Sequence, residues 1–305
     1  MKVLLVPTTP GWAFDNRARD LMTARMRSVR CEIKYMADVR SADQDHYDLI
    51  YPMTLDGARL LHERQGIALE KMAAGVTSLR SLEQHLLGER RFSPAFLRYI
   101  RQLKGINCMS NEILRLFAGQ SRIIKTRVGI DTELFRPRER RGVVGGFRVG
   151  WVGRIDKPVY RQHKGYDQVL KALNGLGVEL DIRTYKEHYV PRKEMVSFYQ
   201  GLDCYICSSR SEGLPNPVLE AAACGVPIIS TNVGIVPELI RHRHNGLIVS
   251  GSADSIREAV CFLMNEPDER RRYAQRIRQT IESKWTWAHC ARDWETFFRI
   301  IQRER

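Results

Sequence analysis

Residues 208–233, SSRSEGLPNPVLEAAACGVPIISTNV, decide the fold of this chain. We predict a short strand at 205–207, followed by a loop of small and polar residues and then by a helix over 217–224. Pro217 suits the first turn of that helix, because its fixed φ is helical and its missing N–H would have no helical partner. Gly225 ends the helix, and 227–230 returns as a strand. The N-terminus of this helix would offer free N–H groups to an anion such as a phosphate.

Two carboxylates bracket this unit, Glu212 before the helix and Glu220 within it, eight positions apart. With GLPNPVL between them and AAACGVPII after them, the segment resembles the E-x7-E signature of retaining, nucleotide-sugar-dependent glycosyltransferases of the GT-B fold, family 4 in particular. Similar pieces recur between 128 and 245. Two glutamates at this spacing are commonplace, so the surrounding sequence carries the resemblance. The alternative is a solvated Glu212 and a Glu220 that serves only the helix surface.

The resemblance implies a role for each residue of the segment. Glu212 would bind sugar hydroxyls and support positive charge at the anomeric carbon, and Glu220 would hold the ribose hydroxyls. The loop would contact the sugar through its backbone, and the helix start would contact the diphosphate. The donor-binding residues here would be Glu212, Gly213, Leu214, Pro215, Asn216, Pro217, Val218 and Glu220.

A pair of cations precedes this segment. Gly153 and Arg154 end a strand predicted at 147–152, and Lys164 opens a helix predicted at 166–173. They resemble the family's diphosphate-binding pair. A departing diphosphate gains negative charge in the transition state, which preorganised cations stabilise. Glu212, Arg154 and Lys164 are therefore the candidate catalytic residues, and two ordinary surface cations are the alternative.

The family holds its nucleobase in a loop that corresponds to 185–191. Tyr185 and Tyr189 are the candidates for its aromatic wall. Tyrosines at strand ends also serve as packing residues.

Strands alternate with helices between residues 2 and 117, which predicts a parallel sheet covered on both faces. One predicted helix, 14–29, carries Arg17 and Arg19 on its outward face. Ligands of such folds bind at the carboxyl ends of the strands. The resemblance therefore places the acceptor or sugar side near Gly11, Trp12, Thr77 and Ser78.

Two positions depart from the family pattern. The histidine often found after the fourth strand is absent, since that place reads Val76-Thr77-Ser78, and the usual asparagine before Gly-Ile-Asp is Val128. Thr77 or Ser78 would have to supply the missing hydrogen-bonding group.

We predict an α/β protein of the GT-B class, with two Rossmann-like domains facing across a cleft. The resemblance implies an N-terminal Rossmann-like acceptor domain at 1–140 and a nucleotide-sugar domain at 141–285. A C-terminal helix at 286–305 would pack back on the first domain. The charged, glycine-bearing segment 138–146 marks the predicted boundary.

Composition restricts the partners. The 305 residues carry a net charge of +14, which suits an anionic partner or reflects an arginine-rich composition. Net charge alone favours nucleic acid, but a nucleic-acid site would leave Glu212 and Glu220 unexplained, so no nucleic-acid partner is predicted. Seven scattered cysteines and the short apolar start predict a cytoplasmic protein with reduced thiols.

The predicted function is a retaining transfer, without a metal ion or resident cofactor, from a nucleoside-diphosphate sugar to a carbohydrate or glycolipid hydroxyl. A GT-B phosphorylase or nucleotide-sugar hydrolase is the alternative, which product analysis with a carbohydrate acceptor would separate. The base, either uracil or guanine, and the transferred sugar stay open.

A basic stretch at 90–104 predicts an amphipathic helix from Pro94. Its apolar face would carry Phe96, Leu97, Ile100 and Leu103, with Arg98 and Arg101 on another face. Such a helix either packs on the first sheet or lies on an anionic membrane surface, which would make the protein peripheral on the inner membrane face.

Overall fold

The chain divides into two units, of which Met1–Gly129 with Trp287–Arg305 forms unit 1 and Ile130–Thr286 forms unit 2. The computed structural model describes residues 1–87, 91–119, 123–138, 146–184 and 190–303. Most of the segment predicted as a linker, 139–145, lies outside these ranges.

Unit 1 is built on short parallel strands. Their orders are β2-β1-β3 and β4-β7-β8, and a parallel bridge between Ile50 and Met72 joins the two sets. A small antiparallel pair, β5 and β6, stands apart from them. The strands are β1 (Lys2–Leu5), β2 (Arg30–Ile33), β3 (Leu49–Tyr51), β4 (Ala73–Val76), β5 (Leu86–Leu87), β6 (Arg91–Phe92), β7 (Gly105–Cys108) and β8 (Ile123–Lys125).

Three helices of unit 1, at 55–65, 94–102 and 111–116, begin at side-chain caps. Thr54, Ser93 and Ser110 each accept a backbone N–H in the first turn of the helix that follows. The helices are α1 (Ala13–Thr23), α2 (Asp43–His46), α3 (Leu55–Gln65), α4 (Arg80–Glu83), α5 (Pro94–Gln102) and α6 (Asn111–Leu116). The apolar faces of α3, α4, α5 and α6 cover one continuous core with β1, β3, β4 and β7.

Unit 2 contains one parallel sheet in the order β10-β9-β11-β12-β13. The strands are β9 (Arg148–Gly153), β10 (Glu179–Thr184), β11 (Cys204–Cys207), β12 (Ile228–Thr231) and β13 (Leu247–Val249). Strands β11 and β12 are buried along their whole length, as expected of central strands covered on both faces. All carboxyl ends therefore meet at one edge of the sheet, where the candidate site lies.

The helices of unit 2 confirm the alternation predicted from sequence. They are α7 (Pro158–His163), α8 (Tyr166–Leu173), α9 (Met195–Gln200), α10 (Asn216–Ala223), α11 (Val236–Leu239), α12 (Ala253–Asn265) and α13 (Pro267–Lys284). The predicted unit of 205–230 is present as β11, α10 and β12, with Gly225 at φ +69° after the helix. Helix α7 occupies part of the segment 155–163, which has no regular pattern in the sequence.

The C-terminal helix α14 (Trp287–Arg303) belongs to unit 1. The ring of Tyr51 meets those of Trp294 and Phe298 edge-on, with centroids 5.7 and 5.9 Å apart. A Cβ on Gly105 would lie 2.4 Å from Ile301, so strand β7 can approach α14 this closely only because that position is glycine. Helix α14 thus completes the core of unit 1.

The basic helix α5 follows the first of the two alternatives left by the sequence, because its apolar face packs into the core of unit 1. Phe96 and Ile100 are 3% and 6% exposed and belong to the core of unit 1, and Leu103 is fully buried. The apolar face is therefore unavailable to a lipid bilayer, while Arg98 and Arg101 remain exposed. Within the described ranges, no helix is long and apolar enough to span a membrane.

Helix α1 differs from the prediction in its length and in the burial of Arg17. It ends at Thr23, so it is shorter than predicted, and Arg17 faces the interior with Ala18 and Leu21. Arg17 is 5% exposed, whereas the prediction had it in solvent. An arginine in the middle of a helix carries no signal for burial in its own residue type, and only the tertiary structure reveals that it is buried.

Candidate functional site

A pocket opens at the carboxyl edge of the unit 2 sheet, beside the N-terminus of α10. Its empty volume is about 510 Å³. Its lining joins the two stretches singled out in the sequence: Trp151, Val152, Lys164, Tyr205, Cys207, Ser208, Ser209, Glu212, Leu214, Pro215, Asn216 and Pro217.

Hydrogen bonds hold the segment 163–165 against the segment 208–212. The Arg210 N–H donates to the His163 carbonyl at 2.8 Å, and the Ser208 hydroxyl donates to the Lys164 carbonyl at 2.7 Å. The His163 ring lies 2.8 Å from the Ser211 carbonyl through Nε2. The positions of Lys164 and Glu212 are thereby fixed relative to each other, although 48 residues separate them.

Two glycines with positive φ make this close approach possible. A Cβ on Gly165 (φ +65°) would lie 2.2 Å from the Ser208 carbonyl oxygen. A Cβ on Gly234 (φ +53°) would lie 2.4 Å from the Gly213 carbonyl oxygen. Only glycine satisfies both the left-handed conformation and the contact.

Lys164 and Glu212 form an ion pair through Nζ and Oε1 at the pocket wall. Their side chains are 27% and 15% exposed, so the pair is partly shielded from water. Both groups keep unused capacity, because the ammonium has three donors and the carboxylate several lone pairs. A bound ligand with a phosphate and hydroxyl groups could engage both.

The Arg154 guanidinium forms an ion pair with the nearby Asp156 carboxylate. Its Nε and Nη2 donate to the Asp156 carboxylate at 3.0 and 2.8 Å, and its guanidinium lies 4.0 Å from the centroid of the Tyr160 ring. Neither Arg154 nor Gly153 is among the residues that line the pocket. The predicted diphosphate contact of Arg154 therefore stays a prediction.

Glu220 lies on α10, outside the pocket lining. It accepts a hydrogen bond of 2.7 Å from the buried Tyr199 hydroxyl, and the Arg192 Nε is 3.9 Å from its other oxygen. Burial and the neighbouring Glu220 carboxylate raise the pKa of Tyr199 well above its ordinary value, so the phenol stays protonated and keeps donating its hydrogen bond to Glu220. Glu220 is thus oriented before any ligand arrives.

The start of α10 has no side-chain cap, since its N-cap residue is Pro215. Leu214, Pro215, Asn216 and Pro217 line the pocket there, and their contact with a sugar and a diphosphate stays a prediction. Gly213 and Val218 are buried behind them. An uncapped helix start favours an anion.

Sequence reasoning missed four supporting residues: Asp156, His163, Tyr199 and Ser208. Each acts through another residue, and none belongs to a motif. The nearest signal was position, because Asp156 and His163 lie between the two cations Arg154 and Lys164.

The acceptor-side candidates all lie at carboxyl ends of unit 1 strands. Trp12 precedes α1 and is 44% exposed, and Gly11 adopts φ +77° beside it. Thr77 and Ser78 follow β4, where the Ser78 hydroxyl accepts the Arg80 N–H at 3.2 Å. The nucleobase candidates Tyr185 and Tyr189 lie outside the described residues.

Asp43-Gln44-Asp45 is a formal Asp-x-Asp sequence of the kind that binds metal in other transferases. Asp43 is 4% exposed. Its carboxylate accepts hydrogen bonds from Lys34 Nζ at 2.5 Å and from the Arg40 N–H at 2.9 Å. Both oxygens therefore serve the fold of unit 1. Among the described residues, no three His, Cys, Asp or Glu side chains gather in a possible metal site.

A family model described as glycosyl transferases group 1 matches residues 178–280. The matched range includes β11, α10 and both glutamates. Residues 178–280 are therefore similar to this glycosyltransferase family.

Curated relatives agree with this assignment. The chain is 36% identical over 89 residues to a GDP-mannose-dependent alpha-(1-6)-phosphatidylinositol monomannoside mannosyltransferase of Mycobacterium tuberculosis, covering 29% of this chain and 23% of the relative. It is 25% identical over 215 residues to the capsular polysaccharide biosynthesis glycosyltransferase CapM of Staphylococcus aureus, covering 62% of this chain and 57% of the relative. Both matches span less than two thirds of the relative's length.

Solved structures establish the fold. Sucrose-phosphate synthase from Thermosynechococcus elongatus has a TM-score of 0.76 at 12% identity, with 99% of each chain covered. Anabaena HepE, solved in complex with UDP and glucose, has a TM-score of 0.75 at 14% identity, with 98% of this chain and 99% of that chain covered. The fold is that of the GT-B glycosyltransferases, as predicted.

Proposed function

We propose that this protein is a retaining, metal-independent glycosyltransferase that moves a sugar from a nucleoside-diphosphate donor to a hydroxyl of a carbohydrate or glycolipid acceptor. Its setting would be the synthesis of a glycan, a glycolipid or a cell-envelope polysaccharide. One observation carries the proposal: the Lys164–Glu212 pair and the uncapped start of α10 converge on one pocket at the carboxyl edge of the sheet.

Lys164 is the proposed ligand of the diphosphate. In the free protein its ammonium faces Glu212, which keeps the cation extended into the pocket. When the donor sugar binds, its phosphates offer Lys164 a second anion. The cation is then in place to stabilise the charge that grows on the leaving diphosphate, without reorganisation during the reaction.

Glu212 is the proposed sugar ligand. Its carboxylate would accept hydrogen bonds from sugar hydroxyls and stabilise the positive character of the anomeric carbon. In the proposed step the bond from the anomeric carbon to the diphosphate oxygen breaks, and a bond to the acceptor oxygen forms on the same face. The proton of the acceptor hydroxyl passes to the leaving diphosphate, so no side-chain base is assigned.

Glu220 and Arg154 would complete the donor site. Glu220, oriented by Tyr199, would hold the ribose hydroxyls. Arg154 would reach the diphosphate only by exchanging one of its two contacts with Asp156 for a phosphate oxygen. No metal ion is needed in this scheme, because the two cations and the helix start supply the positive charge.

A binding panel tests the donor. UDP, GDP and ADP should be compared by thermal shift, because a ligand that binds only the native state raises the melting temperature. One of the three should stabilise the wild type and fail to stabilise Lys164→Met. The exposed Lys171→Met variant on α8 is the matched control. No stabilisation by any nucleoside diphosphate would contradict the proposal.

Product analysis tests the reaction. Incubation of the matching nucleotide sugar with candidate acceptors should give a glycoside whose anomeric configuration equals that of the donor, read by NMR coupling constants. Chelation by EDTA should leave the rate unchanged. Release of free sugar or sugar phosphate alone would favour a hydrolase or a phosphorylase instead.

We also propose a cytoplasmic location with peripheral contact to anionic lipid. The apolar face of α5 is buried, so the contact would rest on charge alone, through Arg91, Arg98 and Arg101. Co-sedimentation with phosphatidylglycerol vesicles should fall with added salt and on replacing these three arginines by glutamine. If the variant sediments with the vesicles as strongly as the wild type, these three arginines do not bind the lipid surface.

A further inference from the structure

Arg17 is a buried cation for which the described part of the chain supplies no ion-pair partner. Its side chain is 5% exposed, and its Nε and Nη1 atoms are sealed from solvent without a hydrogen-bond partner. Burial lowers the pKa of its guanidinium to about 10, so the group remains charged at neutral pH. A buried charge without a partner is costly, because neither water nor an anion replaces its lost solvation.

Helix geometry directs the Arg17 side chain from the middle of α1 toward its N-terminus. Helical side chains lie over the turn that precedes them. The contact with Phe14 agrees with this direction, since the Arg17 Cζ lies 5.5 Å from the centroid of the Phe14 ring. The helix has eleven residues, and its N-cap residue Trp12 makes no capping hydrogen bond through its side chain. The positive end of the helix dipole and the guanidinium therefore occupy the same end of α1.

Asp15 is a buried carboxylate in the first turn of α1, and its hydrogen bonds are made with groups other than Arg17. Asp15 accepts the Gly11 N–H at 2.8 Å, Arg19 Nε at 3.1 Å and the Tyr35 hydroxyl at 3.0 Å. Asp20 acts on Arg17 through its charge but makes no hydrogen bond with it. Arg19 on the same helix is paired, and Arg17 is the arginine left to receive an anion.

Tyr51 is the remaining ionisable group that acts on Arg17. Its hydroxyl donates to the Asn107 side-chain oxygen at 2.6 Å, and the Asn107 amide donates in turn to Thr126 at 2.6 Å. Burial raises the pKa of Tyr51, so the phenol stays neutral and gives Arg17 no counter-charge.

We propose that Arg17 and the first turn of α1 form an oxyanion site in unit 1 that binds a phosphate group. The exposed ring of Trp12, in the adjoining turn, would cover the group attached to that phosphate. On the proposed function, this group is the acceptor, and the acceptor class is then a phosphorylated carbohydrate or a lipid phosphate. Oxyanion binding itself does not rest on the proposed function.

The test begins in a Lys164→Met background, which removes the phosphate response expected of unit 2. Melting temperature is measured in a phosphate-free buffer and then with increasing inorganic phosphate. The parent should be stabilised in a saturable way. Arg17→Met should lose this response, with an affinity at least about tenfold weaker, since a hydrogen bond to a charged group is lost.

The starting stability separates a ligand site from a structural role. Removing an unpaired buried charge by a shape-matched apolar side chain should leave the melting temperature in phosphate-free buffer unchanged or higher. A structural arginine would instead show a lower melting temperature, with the phosphate response intact. That pair of results would overturn the proposal.

Two further variants keep the test decisive. Arg25→Met removes an exposed arginine just beyond α1 and should keep the full phosphate response. Arg17→Lys keeps the charge and loses the planar fork, so it should fold and bind phosphate more weakly than the parent. If Arg17→Met does not fold, an unchanged phosphate affinity in Arg17→Lys rejects the site.

Two probes distinguish the sources of the phosphate. Glycerol phosphate represents a soluble ligand, and phosphatidylcholine vesicles with phosphatidic acid represent a lipid. Arg17-dependent binding to the first alone assigns a phosphorylated carbohydrate, and binding to the vesicles alone assigns a lipid phosphate. Arg17-independent binding to both rejects the site. Nucleoside-diphosphate binding, measured in protein with native Lys164, reports on the proposed donor site separately.

Discussion

The two helix starts that face the carboxyl ends of the strands, α1 in unit 1 and α10 in unit 2, differ in how their charges are balanced. Beside α10 the cation Lys164 has a carboxylate partner in Glu212. At α1 the cation Arg17 has none among the described residues. A paired cation is held in place yet can exchange its partner for a phosphate. An unpaired buried cation raises the free energy of the ligand-free protein. Such a cation therefore contributes the most binding free energy when an anion binds.

The same difference explains where the family signature lies. The residues with reciprocal partners, Lys164 and Glu212, belong to motifs that could be recognised in the sequence. Arg17 belongs to no motif, and its environment consists of Phe14, Tyr51 and packed apolar side chains. On the proposed function, the paired charges would act on the donor, and the unpaired charge would bind the acceptor.

The largest expected effect follows from removing the negative half of the pair. Glu212→Gln leaves Lys164 in the state of Arg17, a cation without a counter-ion. Turnover should fall by about 10²–10³, because a charge that stabilises the transition state is lost. Affinity for the free nucleoside diphosphate should stay within about threefold, since its predicted partner is the sugar.

Steady-state kinetics and calorimetry measure the two quantities for Glu212→Gln. The exposed Glu258→Gln on α12 is the matched control and should behave as wild type. Near-normal turnover in Glu212→Gln would mean that the motif has no catalytic role in this chain.

Removing Lys164, the positive partner of the pair, should lower turnover slightly less than replacing Glu212. Lys164→Met should lower kcat by about 10², with a smaller change in KM, because the leaving-group charge is greatest in the transition state. Lys171→Met again provides the control. A raised KM with unchanged kcat would make Lys164 a ground-state ligand and would end its catalytic assignment.

Glu220→Ala should weaken binding of the free nucleoside diphosphate by about tenfold, since a charge-assisted contact to the ribose is lost. Calorimetry with the wild type and with Glu258→Ala gives the comparison. Tyr199→Phe should show a smaller loss, because it removes only the hydrogen bond that orients Glu220. Equal affinity in Glu220→Ala and wild type would separate Glu220 from the donor site.

The smallest effect concerns α1. Asp15→Asn would leave Arg19 without its partner and should lower the free energy of unfolding by about 1–2 kcal/mol at pH 7. Burial raises the pKa of Asp15, but hydrogen bonds from the Gly11 N–H, Arg19 and Tyr35 bring it below its ordinary value. The stabilisation is thus fully present above the unfolded pKa of 3.8 and is lost as the pH falls through the folded value.

Urea unfolding at pH 7 and near pH 3 measures this dependence. The difference between wild type and Asp15→Asn should shrink at the lower pH. A difference that does not change with pH would mean that the carboxylate charge of Asp15 contributes nothing to stability.

The sequence predicted the strands and helices of unit 2 well because local signals agree there. Apolar β-branched runs, Pro217 near the start of α10 and Gly225 after its end all indicate the same boundaries. In unit 1 the signals conflict. The spacing of Leu82, His85 and Leu86 is typical of a helix. The chain instead ends α4 at Glu83, forms the pair β5–β6 and stacks His85 on Phe96 with ring centroids 4.3 Å apart. Tertiary packing overrode local propensity there.

By itself the sequence determined the alternation of strands and helices, the start of α10 and the identity of Glu212, Glu220, Arg154 and Lys164 as site candidates. These depend on residues that are close along the chain or that belong to a recognisable motif. Only the tertiary structure decided which charges have partners. The Lys164–Glu212 pair, the Arg154–Asp156 pair and the isolation of Arg17 follow from burial and from contacts between separate elements. Ion pairing depends on distance in space, to which spacing along the chain is no guide.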